Sequence, residues 1–315
     1  MLTIFIMQNG CLEHYKVRSI EDLKKDALWI DLREPTEREL DWVGQVYNQR
    51  LPDPDDENDI EESARFYEDN QGIHITSFFL YNNDSGHHII PVTFTLHQGR
   101  IFTRRAEDLS VFRAFRMRAR RQMGLAVDAL GIMLELLDTK VEVMADALED
   151  TYASLDTLAH LVLSPTEIGM TDAISQLAVS EDINGKARLI LMDNQRILSY
   201  LGRRTTLNEE QREHVRAMMR DIEALIAHTS FLFDKINFLM DTTMGMINIE
   251  QNRVIKIFSI AAVVFLPPTL LASIWGMNFE FMPDLHLQYG YFFSLLLMVV
   301  AGVTPYLYFK YKGWL

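Results

Sequence analysis

The residues whose types and spacing could do chemistry lie close to the C-terminus. Asn252, Ile255, Ser259, Ala262, Leu266, Thr269 and Ser273 recur at intervals of three and four, which places them on one stripe of a helix. Asn278 extends the stripe into the segment that follows. The stripe mixes amides and hydroxyls with small and apolar side chains and contains no carboxylate. A small divalent cation gives up its water reluctantly, so neutral oxygens of this kind suit the passage of a hydrated ion that must not be held too tightly. Small residues and hydroxyls also let membrane helices pack closely. The pattern alone leaves both readings open.

The elements that must position this stripe are unusually apolar. Charged side chains are absent between Lys256 and Glu280 and again between Asp284 and Lys310, although the upstream chain is rich in them. Segments 257–275 and 289–309 each fall within the roughly 17–25 residues needed to cross a hydrocarbon core. Trp275, Tyr289, Tyr291, Tyr306 and Tyr308 sit at their ends, as interfacial aromatics do. Pro267, Pro268 and Pro305 fall inside them, which spanning helices tolerate when neighbours rescue the freed carbonyls. Arg253 and Lys256 precede the first span and Lys310 and Lys312 follow the second, whereas the loop 276–288 carries Glu280 and Asp284 but no Lys or Arg. This bias predicts both termini in the cytoplasm and an acidic outer loop. Two helices cannot enclose a water-filled path, so a conductor of this kind requires several copies in a ring.

Upstream, short strand-like runs at 2–7, 27–32, 73–81, 89–97 and 100–104 are punctuated by Asn-Gly and Gln-Gly turn signals. Segments 35–46 and 56–66 read as helical. From Leu109 onward long helices are expected, with a turn at Ser164-Pro165 and a break at Gly202. The fold class is therefore a mainly α membrane protein with an N-terminal α/β domain. Its regions are an α/β part at 1–118, a long-helix part at 119–207, a stalk helix at 208–256, the spans and loop just described, and a basic tail at 310–315. Along the stalk, Met218, Ile222, Leu225, Thr229, Leu232, Ile236, Leu239, Thr243 and Met246 alternate by four and three, a coiled-coil spacing. No Pro interrupts 208–266, enough for a rod on the order of 85 Å at 1.5 Å per residue that continues into the first span. The stripe either joins copies of the chain or packs a long helix within one subunit.

Composition excludes several classes. The chain has 315 residues and a formal charge of −14, and no Lys/Arg run with interleaved aromatics, so a nucleic-acid partner is not expected. The lone Cys11 excludes an intramolecular disulfide. The start MLTIFIMQNG lacks a basic region and a cleavage site, and no signal peptide is expected. There is no Gly-rich phosphate loop with a Lys, so neither nucleotide nor ATP-driven pumping is expected. The histidines, including His87-His88, lack ligand spacing with Cys or acids. Neither an enzyme nor an organic cofactor is indicated.

Gly276-Met277-Asn278, directly after the first span, resembles the signature of the CorA family of magnesium channels. The resemblance continues through Phe279-Glu280-Phe281-Met282-Pro283-Asp284-Leu285, IEQNRVIKIFS, FLPPTL and PYLYFKYKGWL, and upstream through ARFYED, so that it covers essentially the whole chain. Trp275 departs from it, since the family usually has Tyr there. The resemblance implies a homopentameric funnel in which the first span lines the pore and the second faces lipid. Gly276, Met277 and Asn278 would form the selectivity filter, with Asn278 a ring of five amides at the outer mouth, Gly276 permitting a backbone bend and Met277 packing in support. Ile255 and Leu266 would be apolar constrictions, Phe258 a permeation position near the cytoplasmic end, and Asn252 the inner polar ring. Asp59 resembles a family acid that binds regulatory Mg2+ across the subunit interface with an Asp of the long helix, for which Asp221 is the candidate. Asn58 stands where the family often has Glu. The implied function is potential-driven Mg2+ influx, with Co2+ and Ni2+ as secondary ions, closed by intracellular Mg2+. A zinc transporter of the same superfamily and a membrane-anchored coiled-coil sensor or scaffold are the alternatives.

Overall fold

A computed structural model describes every residue except 9, 53–64, 84, 85, 126, 164–169, 279–281, 283–287, 314 and 315. The chain forms two compact units, Met1–Met240 and Asp241–Leu315.

The first unit is built on a seven-stranded sheet. Its strands are β1 (Leu2–Gln8), β2 (Cys11–Val17), β3 (Trp29–Arg33), β4 (Phe66–Asp69), β5 (Gly72–Asn83), β6 (Gly86–His97) and β7 (Arg100–Arg105), in the order β2-β1-β3-β7-β6-β5-β4. Among the described residues the β3–β7 pair is parallel and the other neighbours are antiparallel. Period-two alternation assigns each side chain to a face. Leu2, Ile4 and Ile6 of β1 join Ile30, Leu32 and Phe102 in one core, whereas Phe5 joins Trp29 and Ile101 in the other. The first core is closed by α1 (Glu37–Tyr47) through Val43 and Tyr47. Thr36 and Glu39 cap that helix reciprocally, the Glu39 amide donating to Thr36 Oγ1 at 3.3 Å and the Thr36 amide to Glu39 Oε2 at 2.9 Å.

The second core is covered by α2 (Ser110–Arg121), α3 (Ala129–Leu163) and α4 (Met170–Arg204), and extends along the first part of α5 (Glu209–Trp275). Trp29 stacks on Phe5 at 4.0 Å and donates from Nε1 to Thr103 Oγ1 at 3.0 Å. The break expected at Gly202 lies slightly later: α4 runs through Gly202 to Arg204, and the link to α5 falls at 205–208. A glycine with ordinary helical backbone does not by itself end a helix. Of the segment read as helical at 56–66, all but Arg65 and Phe66 lies outside the described residues, and Phe66 opens β4 rather than ending a helix.

The stalk stripe packs within the chain. Met218, Ile222, Leu232, Ile236 and Leu239 are buried in the second core, and Thr229 is buried beside them. Asn184 of α4 donates to the Thr229 carbonyl at 3.0 Å, and Lys235 reaches Asp156 of α3 at 3.4 Å. A 3.5-residue repeat requires a partner along the helix, and here α3 and α4 provide it. The second of the two readings of the stripe, a long helix packed within one subunit, is the one these contacts support.

The second unit holds the end of α5 and α6 (Gly290–Tyr311), which among the described residues are the two helices long and apolar enough to cross a membrane. Pro267 and Pro268 lie inside the first and Pro305 inside the second.

Candidate functional site

Within the second unit, α5 and α6 touch along one face of each. On α5, Ile260, Val264, Pro267, Pro268 and Leu271 are half-buried; on α6, Met298, Ala301, Pro305 and Phe309 are half-buried and Gly302 is buried. The contact is fixed at Gly302, where a Cβ would lie 3.2 Å from Pro268 Cγ and 3.3 Å from Val264 O. Asn252, Ile255, Ser259, Ala262, Leu266, Thr269 and Ser273 are all exposed in the single chain. At about 100° per residue, the centre of the stripe lies roughly 150° around α5 from the α6-facing residues, close to the opposite side of the helix. The rest of α6 presents Tyr291, Phe292, Leu296, Val299, Leu307 and Tyr308, an exposed apolar surface suited to hydrocarbon.

The hydroxyls of the stripe have a defined orientation. Ser259 Oγ donates to the Ile255 carbonyl at 2.8 Å and Thr269 Oγ1 to the Phe265 carbonyl at 2.7 Å. Each proton is thereby turned into its own helix, leaving oxygen lone pairs to face outward. A hydrated cation presents water protons, so outward acceptors are the chemistry it needs. Ile255 and Leu266 are more than three-fifths exposed and Phe258 is 71% exposed, which is costly for a lone helix in water and leaves these apolar faces available to other copies or lipid.

At the end of α5 the Gly276 amide donates to Ala272 O at 2.9 Å and the Met277 amide to Ile274 O at 3.3 Å. The bend expected at Gly276 does not use a left-handed backbone. What a side chain would meet instead is the Ala272 carbonyl, 3.2 Å from a Cβ. Met277 is 48% exposed, so the packing expected of it is not made within one chain. Asn278 is exposed.

Of the two acids expected to hold regulatory Mg2+, Asp59 lies outside the described residues and Asp221 is exposed on α5. Among the described residues no three His, Cys, Asp or Glu side chains converge to hold a metal.

Near the start of α5 sits a charged cluster that sequence reading missed. His214 lies 3.4 Å from Asp138 and 3.8 Å from Glu135, both on α3. Hydrogen bonding to Asp138 holds the imidazole above its ordinary pKa against burial, and the Glu135 and Glu210 charges add to the rise. Burial pushes Glu135 up as well. The Glu135/Asp138 spacing was the available signal, since i and i+3 share a helix face. A histidine whose folded pKa exceeds its unfolded value stabilises fully below the unfolded pKa and loses that contribution as pH rises through the folded one. His214→Gln is therefore expected to cost about 1 kcal/mol below pH 6 and progressively less at higher pH, measured by thermal unfolding of the detergent-solubilised protein.

An α/β unit, a long helix and a two-helix apolar unit with a neutral polar stripe define a two-span membrane protein. The sequence profile described as CorA-like Mg2+ transporter protein matches residues 24–311. The chain is 46% identical to proteins called magnesium transport protein CorA from Yersinia pestis and Escherichia coli (strain K12), with 100% of each chain covered. The solved CorA magnesium transporter from Methanocaldococcus jannaschii superposes with a TM-score of 0.75 at 18% identity, over 100% of this chain and 99% of that one, a likeness of fold. The chain belongs to the CorA-like Mg2+ transporter family.

Proposed function

We propose that this chain is an ion channel that assembles as a homopentamer and admits Mg2+ to the cytoplasm, with Co2+ and Ni2+ as secondary ions. The observation that carries the reading is the exposed stripe of outward-facing neutral acceptors on α5, which sits off the α6 contact and leads to Asn278. The family and its magnesium-transporting relatives favour Mg2+ as the cargo. Copies arranged with this stripe toward an axis would surround a hydrated ion with oxygens, while α6 meets lipid. Gly276, Met277 and Asn278 would form the outer filter, Ile255 and Leu266 the apolar constrictions, and Asn252 the inner ring.

No fuel is required. With both termini in the cytoplasm and an inner-membrane location, a doubly charged ion gains about 4.6 kcal/mol per 100 mV on entering. Closure would come from intracellular Mg2+ bridging Asp59 of one copy and Asp221 of the next. Neutralising both acids is expected to leave flux open at internal Mg2+ that closes the native channel, by roughly fivefold or more. An unchanged Mg2+ response in the Asp59→Asn/Asp221→Asn protein would discard this sensor and leave the pore assignment standing.

The deciding experiment is Mg2+ flux into proteoliposomes under an inside-negative potential, with Zn2+ as competitor. Potential-dependent Mg2+ entry supports the reading. Zn2+ entry indifferent to Mg2+ would point to a zinc carrier, and no flux from folded protein to a sensor or scaffold.

A further inference from the structure

We propose that Gly302 is a positioning residue: with no side chain, it lets α6 seat against the Val264 carbonyl that Pro268 leaves without a helical donor. It thereby sets how far Leu266 projects from the opposite side of α5. The conduction part of this inference rests on the proposed pore; the packing part does not.

Proline carries no N–H, so Pro268 cannot pair with the carbonyl four residues earlier, that of Val264. A bilayer offers no water to such an oxygen, and a neighbouring helix must supply compensation. Gly302 is the buried residue of α6. A Cβ at Gly302 would stand 3.3 Å from Val264 O and 3.2 Å from Pro268 Cγ, both tighter than ordinary contact. The hydrogen that takes the side chain's place points into that gap, where it can make a weak Cα–H···O contact with the carbonyl. Neither neighbour can yield easily. One belongs to the backbone and the other to a closed ring whose rotation is fixed.

The consequence follows from helix geometry. At about 100° per residue, Val264 and Pro268 lie about 40° apart, and Leu266 lies opposite their midpoint. A side chain at position 302 would push α5 away from α6 and carry Leu266 outward on the far side. If Leu266 faces the axis of a ring, each copy moves its constriction inward and the path narrows.

The test compares native protein, Gly302→Ala, Gly302→Leu, Pro268→Ala and Pro268→Ala/Gly302→Ala in proteoliposomes. Gly302→Ala is expected to reduce maximal Mg2+ flux about threefold and Gly302→Leu more than tenfold, with the half-saturating Mg2+ concentration unchanged. Alanine at 268 returns a donor to Val264 O and removes the ring that a Cβ at 302 would meet, so adding Gly302→Ala to Pro268→Ala should cost clearly less flux than adding it to the native protein. A general packing defect would instead give additive losses and would overturn the proposal. A second readout needs no conduction: cysteines at Leu271 and Met298, on the facing sides of the two helices, in a Cys11→Ser background. Disulfide formation is expected to slow at least fivefold when Gly302→Leu is added. An unchanged rate overturns the seating of α6. If native protein conducts nothing while the cross-linking rate still falls, the pore reading fails and the packing stands.

Discussion

Asn278→Ala is expected to lower potential-driven Mg2+ flux into proteoliposomes by about a hundredfold or more. Hydrated Mg2+ offers only water protons to its surroundings, so its first encounter requires acceptors held in place. Asn278 supplies an amide oxygen, and it follows a turn anchored by the Gly276 and Met277 amides on Ala272 and Ile274. Loss of one acceptor costs about 1 kcal/mol. Repeated in every copy around the proposed ring, the losses add to several kcal/mol, and each 1.4 kcal/mol is about tenfold. Asn278→Asp separates this effect from steric change, because a ring of carboxylates should raise affinity for the ion and lower its rate of passage. Undiminished flux in Asn278→Ala would overturn the proposed filter role of Asn278.

The second large effect concerns stability. Asp193 of α4 is buried and accepts from four donors: Arg65 Nη1 at 2.6 Å, Lys140 Nζ at 3.3 Å, Ser77 Oγ at 3.0 Å and the Phe78 amide at 3.1 Å. Lys140 also donates to Ser77 Oγ at 2.8 Å. Asp193→Ala strands two buried cations, and removal of one partner from such a group costs about 3–5 kcal/mol. Burial lowers Lys140 to about 8, with the Asp193 charge opposing the fall. A lysine whose pKa falls on folding destabilises the native state as pH drops from its unfolded value toward its folded one, because the unfolded chain takes up the proton first. Without Asp193 this window extends below pH 8, so the gap between native and variant should narrow as pH rises through about 8. Urea unfolding of the full chain, followed by tryptophan fluorescence at pH 7 and pH 9, measures it. Equal stabilities at pH 7 would show that the network contributes nothing net.

The missed strands share a cause. β2 carries Glu13 and Lys16, both exposed at the sheet edge, and β4 is the short run Phe66–Asp69; neither offers the alternating apolar run that marks a half-buried strand. Pairing with β1 and β5 makes them strands. The Arg65–Asp193 and Lys140–Asp193 contacts join residues 128 and 53 positions apart, beyond the reach of any local pattern.

The sequence by itself determined everything that depends on short periods and on charge. The charge-free runs at 257–275 and 289–309 marked the two segments apolar enough to span, because hydrocarbon excludes charge regardless of fold. Spacings of three and four put Asn252 through Ser273 on one stripe, and a helix obeys that geometry in any environment. Tertiary structure alone decided which partner each face meets. Met218 through Leu239 show the period of a seam, and a period specifies a face without naming its neighbour; α3 and α4 of the same chain cover it. In the same way, a glycine in an apolar helix is silent until the neighbouring backbone arrives, and only the approach of Val264 and Pro268 gives Gly302 its role.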